Sequence, residues 1–437
     1  MKQSLVTRSQ VFYIAWPIIL SNISTPLLGL VDTAVIGNLG DPALIGAIAI
    51  GSMVFSFLYW GFGFLRMGTT GLVAQARGAG DDAEAKAAFY RAFLVGTFIG
   101  LLLLFLQAPI ASLAFSIIDG SVKVEGAALT YFHIRIWGAP LSLSYLAIMG
   151  YLVGQQDTRS ILILQLLLNF SNIILDLVFV VGFGFDVAGI AAATLISEFL
   201  ALAAGIGIVF YRLKQRHGGL QIDINQLVDT HALKRMFVIN RDIMIRTLCL
   251  IFAFAWFTNE GAKSGDILLA ANAILLQFVT FSAFFLDGFA LAAESLVGSA
   301  TGAKNREQIK VAIRYTAQLG FTTALLVSVF FLLVGETIIN VLTNVIEVRE
   351  TAQTYLPWAI AAPVVSVWCY LLDGVFIGAT RTREMRNAMI VSVLGYLLAW
   401  WLFAGLFGNH GLWASLMLYF IIRAVTLNYY LPRLIHS

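Results

Sequence analysis

Nearly the whole chain is laid out as apolar stretches of more than 20 residues separated by short polar loops. Twelve can be marked, at residues 11–38, 42–75, 88–108, 127–154, 160–183, 187–211, 237–259, 266–300, 311–334, 354–379, 387–407 and 411–431. Each is long enough to cross about 30 Å of hydrocarbon, which takes roughly 20 residues of helix. Inside lipid every backbone N–H and C=O needs an internal partner, so stretches of this length fold as helices. With 59% hydrophobic and only 12% charged residues, the chain has too little polar surface for a soluble fold. The expectation is an all-α integral membrane protein. Its first stretch is too long for a cleaved signal peptide and is interrupted by Pro17, Pro26 and Asp32, so it is expected to stay as a helix.

The sequence is also written twice. Gly150, Gly154, Thr158 and Arg159 recur 224 residues later as Gly374, Gly378, Thr382 and Arg383. Leu72, Val73, Gly78 and Ala79 recur at the same offset as Leu296, Val297, Gly302 and Ala303. Six segments per half is an even number, so the repeat is parallel, as in secondary transporters whose substrate path lies between two related halves. The expected division is an N-lobe over 1–211, a basic cytoplasmic linker over 212–236 and a C-lobe over 237–437. Within the linker, Gln226 to Phe237 reads as a short helix on the membrane surface.

The basic residues sort by side. With a cytoplasmic N-terminus, 21 of the 27 fall in inward loops and tails, among them Lys86, Arg91, the group from Arg212 to Arg241, and Arg423. Only Lys123, Lys263 and Arg349 fall outside, which follows the positive-inside rule with both termini cytoplasmic. Such sorting is not a nucleic-acid-binding patch. Cys249 and Cys369 lie inside apolar segments and read as packing residues, and the five histidines have no metal-ligand spacing. No Gly-x-x-x-x-Gly-Lys motif is present, and no cofactor is indicated, so an ion gradient is the expected energy source. His133 has no evident partner, which disfavours an intramembrane enzyme.

An aspartate near the bilayer centre costs about 2.5–3.5 kcal/mol on insertion scales, so each one requires a reason. Asn22, Thr25, Gly29 and Asp32 are spaced by three and four and share one helix face; Gln165, Asn169, Asn172 and Asp176 do the same. Such stripes face protein or water, not lipid. Asp32 and Asp176 each lie about seven residues before the outer end of their segment, roughly 10 Å at 1.5 Å per residue, and so at one depth. Two neighbouring carboxylates out of water are able to bind a proton and to release it when the site opens or a cation arrives. The alternative is a structural network in which Asn169, Asn172 and Thr194 only satisfy two buried acids. Pro26, six residues before Asp32, removes a helical hydrogen bond and permits a bend, static or responsive to Asp32.

The second half carries different acids. Asp287 and Glu294 share a face of the eighth segment, Asp373 lies in the tenth, and Glu260 lies near the outer end of the seventh. At the 224-residue offset Asp287 falls on Gly63, Glu294 on Thr70 and Asp373 on Met149, so the repeat kept the scaffold and not the charges. Arg246 is a candidate ion partner, and Arg66 and Arg135 are further cations needing one. A cavity-lining role and a second cation site both stay open for Asp287 and Asp373. Glu198, on the sixth segment, faces either the network or a helix contact and is left unassigned. Phe55, Phe57, Tyr59, Phe278, Phe281, Phe284 and Phe285 could line a substrate path, although core packing is the commoner role of such residues.

Together, Gly29-Leu30-Val31-Asp32-Thr33, the run Asn169 to Gly182, Asn240-Arg241-Asp242-Ile243-Met244-Ile245-Arg246 and Leu372-Asp373-Gly374-Val375-Phe376-Ile377-Gly378-Ala379 resemble the multidrug and toxic compound extrusion (MATE) transporters, and most of all their DinF-like branch. The resemblance covers nearly the full length. It implies two six-helix bundles around a V-shaped cleft, and export of bulky, often cationic organic drugs or toxins in antiport with protons or sodium. It also implies that Thr194 and Tyr131 contribute to an N-lobe polar pocket. Protons are the expected ion because the N-lobe pair of acids is complete; sodium is the alternative, since sodium-coupled relatives tend to use C-lobe acids. A lipid-linked oligosaccharide flippase of related architecture is a second alternative, but it would call for cavity arginines and lysines, not acids and amides. A closed pair of bundles in the inner membrane needs no partner subunit, so a monomer is expected.

Overall fold

A computed structural model describes residues 6–37, 41–117, 121–216, 219, 221 and 223–436, with the side chains at positions 27, 30, 32, 33, 36, 42, 117 and 216 left outside that description. Among the described residues all regular structure is helical: α1 (Arg8–Gly37), α2 (Pro42–Trp60), α3 (Phe64–Ala79), α4 (Asp82–Phe105), α5 (Gln107–Ile117), α6 (Val122–Arg135), α7 (Ala139–Gly154), α8 (Thr158–Asp176), α9 (Val187–Arg216), α10 (Ile224–Leu227), α11 (Thr230–Lys263), α12 (Asp266–Gly302), α13 (Arg306–Leu342), α14 (Ile346–Gly378), α15 (Thr382–Phe407) and α16 (Asn409–His436). Ten stretches are long and apolar enough to cross a membrane; α2 with α3, and α6 with α7, each make one of them. With the long helices α1 and α11 they account for the twelve expected segments. The short α5 was not legible as a separate element.

The chain divides into two compact units, Leu20–Phe237 and Val238–Ser437, the latter joined by Met1–Ile19. In the second unit the start of α1 is held by close packing. A Cβ on Gly288 of α12 would overlap Ile19, and the Arg8 guanidinium lies 5.5 Å from the Tyr315 ring centroid. At the core of this unit Phe257 meets the fully buried Trp413 edge to face at 4.9 Å.

The repeat is visible contact by contact within each unit. In the first, a Cβ on Gly150 would come 2.5 Å from the Arg66 carbonyl oxygen, and one on Gly154 would come 3.0 Å from that of Thr70. In the second, Gly374 and Gly378 leave no room for a Cβ against the carbonyl oxygens of Ala290 and Glu294, which stand 224 residues beyond Arg66 and Thr70. These glycines recur because the helices approach backbone to backbone, where any side chain would separate them.

The turns recur too. After α3, Asp81 N–H donates to Ala76 O at 2.9 Å around Gly80 in the left-handed region (φ 71°), and Asp81 caps α4 at Glu84 N. After α12, Asn305 N–H donates to Ala300 O at 3.0 Å around Lys304 (φ 52°), and Asn305 caps α13 at Gln308 N. Gln156 (φ 58°) and Thr380 (φ 53°) are matched in the same way after α7 and α14.

Two expectations change. The stretch 226–237 is not one surface helix: α10 is a single turn capped by Asp223, and residues 230–237 are the first turns of α11. This connection is fastened to α4, where Lys86 donates to Gly219 O and Gln221 O at 2.9 and 2.8 Å, and Arg91 donates to Gln226 O and Leu227 O at 2.5 and 3.2 Å. Both cations, read above as loop charges, are buried donors to main-chain carbonyls. Arg423 is the second correction. It is not an inward-facing surface charge but a 1% exposed residue in the body of α16.

Candidate functional site

In the first unit α8 brings its polar stripe against α9 and the adjoining part of α1. The Asp176 carboxylate is wholly buried at the end of α8, where the chain widens into a π-helical turn over Leu177–Gly182. With its nitrogen toward Asp176, the Asn172 amide donates to Oδ2 at 3.1 Å, and its oxygen accepts the Thr194 backbone N–H at 3.1 Å. That orientation satisfies both ends of the amide. The Thr194 hydroxyl, 3.2 Å from Asn172, also donates to Ile190 O at 2.9 Å.

Toward the start of α8 the stripe continues through Asn169. Its Nδ2 donates to Ser24 Oγ of α1 at 2.6 Å, its Oδ1 accepts from Gln165 at 3.2 Å, and Ser24 in turn donates to Ser21 O at 2.7 Å. Ser24 was missed by sequence reasoning, although it lies two helical turns before Asp32. Asp32 itself falls within α1, with its side chain outside the described residues. α1 runs helical through Pro26, which is exposed. Tyr131 is buried on α6, with its hydroxyl 3.4 Å from Ser52 Oγ of α2. The structure thus joins Asn172, Asp176 and Thr194 directly, attaches Asn169 to α1, and places Tyr131 with Ser52.

A second charged feature of this unit is the pair Arg135–Glu198, with Nη1 to Oε2 at 2.9 Å and side chains 8% and 13% exposed. Gly138, in the turn between α6 and α7, makes room for it, since a Cβ there would overlap Glu198 Oε2. The guanidinium lies 5.1 Å from the Phe55 ring centroid. Glu198 lines a cavity of about 440 Å³ together with Ser56, Tyr59, Trp60, Ser142 and Tyr145. Of the candidate aromatics, Tyr59 therefore faces a cavity, while Phe55 and Phe278 are core residues.

In the second unit Asp373 of α14 is clamped by two guanidiniums, Arg246 of α11 and Arg423 of α16, both reaching Oδ2; Arg423 Nε also donates to Oδ1 at 3.3 Å. Arg423 stands 5.7 Å from the Tyr370 ring centroid, and Tyr370 is within electrostatic reach of Asp287. Glu294 is buried and Asp287 half-buried on α12. Glu260 pairs with Lys263 at 2.6 Å on the last turns of α11.

Comparison with known proteins agrees with this architecture. The MatE family profile matches residues 17–178 and 243–401. The chain is 41% identical over 416 residues to DNA damage-inducible protein F of Escherichia coli (strain K12), covering 95% of this chain and 90% of that protein. It is 26% identical over 440 residues to a probable multidrug resistance protein NorM of Rhizobium meliloti (strain 1021), covering 97% and 92%. In fold it is similar to a solved structure described as the outward-facing conformation of a multidrug resistance MATE family transporter of the MOP superfamily, with a TM-score of 0.87 over 98% of this chain and 96% of that one, at 18% identity. By profile, identity over nearly its full length and fold, the chain belongs to the MatE family of multidrug and toxic compound extrusion transporters, multi-pass membrane proteins and not enzymes.

Proposed function

We propose that this transporter exports bulky organic compounds, cationic ones among them, in exchange for protons by alternating access, as a monomer in the inner membrane with both termini cytoplasmic. The observation that carries the choice of ion is the contrast between its two buried aspartates. Asp373 is committed to two guanidiniums, which fill the space and supply the positive charge that a bound cation would bring. Asp176 is buried against the Asn172 amide and beside Thr194, a setting in which gain or loss of one proton changes the hydrogen bonding of α8 with α9. Asp32 on α1 is the second acid of this proposed coupling site, with Asn169 and Ser24 setting the register of the two helices. One charge crossing 100 mV is worth about 2.3 kcal/mol, which sustains a concentration ratio of about fifty.

The test is ethidium efflux from drug-sensitive cells expressing the wild type, Asp32→Asn or Asp176→Asn, with a protonophore or with sodium withdrawn. Efflux that collapses with the protonophore, ignores sodium and drops at least tenfold in both variants is expected. Sodium dependence, or wild-type efflux by Asp176→Asn, would refute the proton reading. Absence of efflux from well-expressed wild type would favour the flippase alternative.

A further inference from the structure

The Arg135–Glu198 pair lies near mid-membrane, since Glu198 is 11 residues into the span Val187–Gln215, about 16 Å from its start at 1.5 Å per residue. It has a direction. Glu198 lines the cavity whereas Arg135 does not; the guanidinium stands behind, against the face of Phe55. The pair therefore turns the negative end of its dipole toward the open space. Only Oε2 is taken by Arg135, so the carboxylate keeps acceptor capacity for a molecule in the cavity.

The rest of the wall fits one kind of guest. Tyr59, Trp60 and Tyr145 supply aromatic surface from α2 and α7, and Leu143, Leu146 and Leu168 supply apolar surface. Buried within this wall, the Tyr145 hydroxyl has no hydrogen-bond partner among the described residues. A volume of about 440 Å³ falls within the range of small-molecule sites, about 300–1,000 Å³. An anion would meet the carboxylate before the guanidinium. A cation bearing N–H donors would meet an acceptor at one end and ring faces along its body.

We propose that this cavity binds an aromatic organic cation with N–H donors, Glu198 taking the cationic or donor nitrogen, the aromatic residues holding the ring system, and Tyr145 adding a hydroxyl contact. The inference rests on the reading of the protein as an exporter of organic compounds. It adds that substrate and coupling ion are held by different carboxylates of the same unit, Glu198 for the substrate and Asp176 for the ion.

Purified full-length protein in detergent is titrated with ethidium, a cation with aromatic amino groups, and binding is followed by fluorescence polarisation at fixed pH and sodium. Glu198→Gln is expected to weaken binding at least tenfold, in line with loss of a charge-assisted hydrogen bond. Tyr145→Phe should weaken it about threefold. Glu198→Gln leaves a buried guanidinium without its partner, so Ser56→Phe, which fills the cavity from an exposed lining position, serves as the second variant and should also weaken binding at least tenfold. The proposal is overturned if the wild type does not bind ethidium, or if Ser56→Phe and a folded Glu198→Gln both bind within twofold of wild type. Neither ion gradient enters this titration, so failure of the proton reading leaves its result intact.

Discussion

Replacing Asp373 by Asn tests whether the second unit's buried acid is structural. The substitution keeps the volume and one acceptor oxygen but removes the charge that Arg246 and Arg423 share, leaving guanidiniums on residues 6% and 1% exposed with no carboxylate between them. Removing one partner of a buried pair costs about 3–5 kcal/mol, mostly because the remaining charge stays out of water. At about 2–4 °C per kcal/mol for a unit of this size, the unfolding midpoint should fall by about 6–20 °C. Thermal unfolding of the purified protein, followed by tryptophan fluorescence, reads this directly, since Trp413 is buried in the same unit. The double variant Asp373→Asn/Arg423→Met, which removes one of the two orphaned charges, should recover part of the loss. A single variant within about 2 °C of wild type, or a double variant less stable than the single by the full cost of a second lesion, would refute the argument.

Three further outcomes follow from the geometry. Thr380 holds a β-branched side chain in the left-handed region (φ 53°), so Thr380→Gly should stabilise by about 0.5–1 kcal/mol after the entropy cost of glycine, whereas Gly80→Ala at φ 71° should destabilise by about 1 kcal/mol; a destabilising Thr380→Gly or a stabilising Gly80→Ala in the same thermal assay would count against this. Gly378→Val places a side chain where the Glu294 carbonyl sits and should cost about 3 kcal/mol or more, seen as loss of monodisperse protein on size exclusion; wild-type behaviour would mean that α12 and α14 can part without penalty. At the head of α2 the Asp41 carboxyl is held below the usual carboxylate range, first by the Lys123 hydrogen bond at 2.5 Å and then by the Ala43 N–H. Its contribution is therefore present above the ordinary carboxylate pKa and lost as pH falls through the lowered one. Lys123→Met should move the Asp41 midpoint upward in a carboxyl carbon NMR titration, and an unmoved midpoint would exclude the pairing.

Much of the fold was legible because its causes are local. Length and apolarity give the spans, and the paired glycines mark the places where helices touch through their backbones. The charged pairs were legible only where both partners announced themselves. Arg246 was flagged as a partner for a C-lobe acid, but Arg423 reads in sequence as a charge beside an inward end. Only the continuation of α16 to His436 carries it into the bundle, 50 residues from Asp373. Arg135 and Glu198, 63 residues apart, each stand out in the sequence as charges within apolar segments, but not as a pair. The depth arithmetic applied to Asp32 and Asp176 would have joined them. The fourth and sixth segments run in the same direction, and the two residues lie 8 and 11 places from their starts at 127 and 187.

The repeat also explains why the charges resist being read from one half into the other. At the 224-residue offset Arg246 falls on Asn22, Asp373 on Met149 and Arg423 on Phe199, while Asp176 falls on Trp400 and Glu198 on Ile422. None of these five charges has a charged counterpart. The glycine contacts do have counterparts, because a side chain there would move a helix, and the left-handed turns recur because they are made by main chain, with Gly80 matched by Lys304 and Gln156 by Thr380. Interior side-chain positions carry no such restriction: a cavity or core site can be filled by Met149 in one unit and by an acid with two guanidiniums in the other, provided each polar group finds its partners locally. The backbone therefore has to be the same in both units and the chemistry does not. That freedom is what allows one unit to lock its aspartate between arginines while the other presents Asp176 to an amide and Glu198 to a cavity.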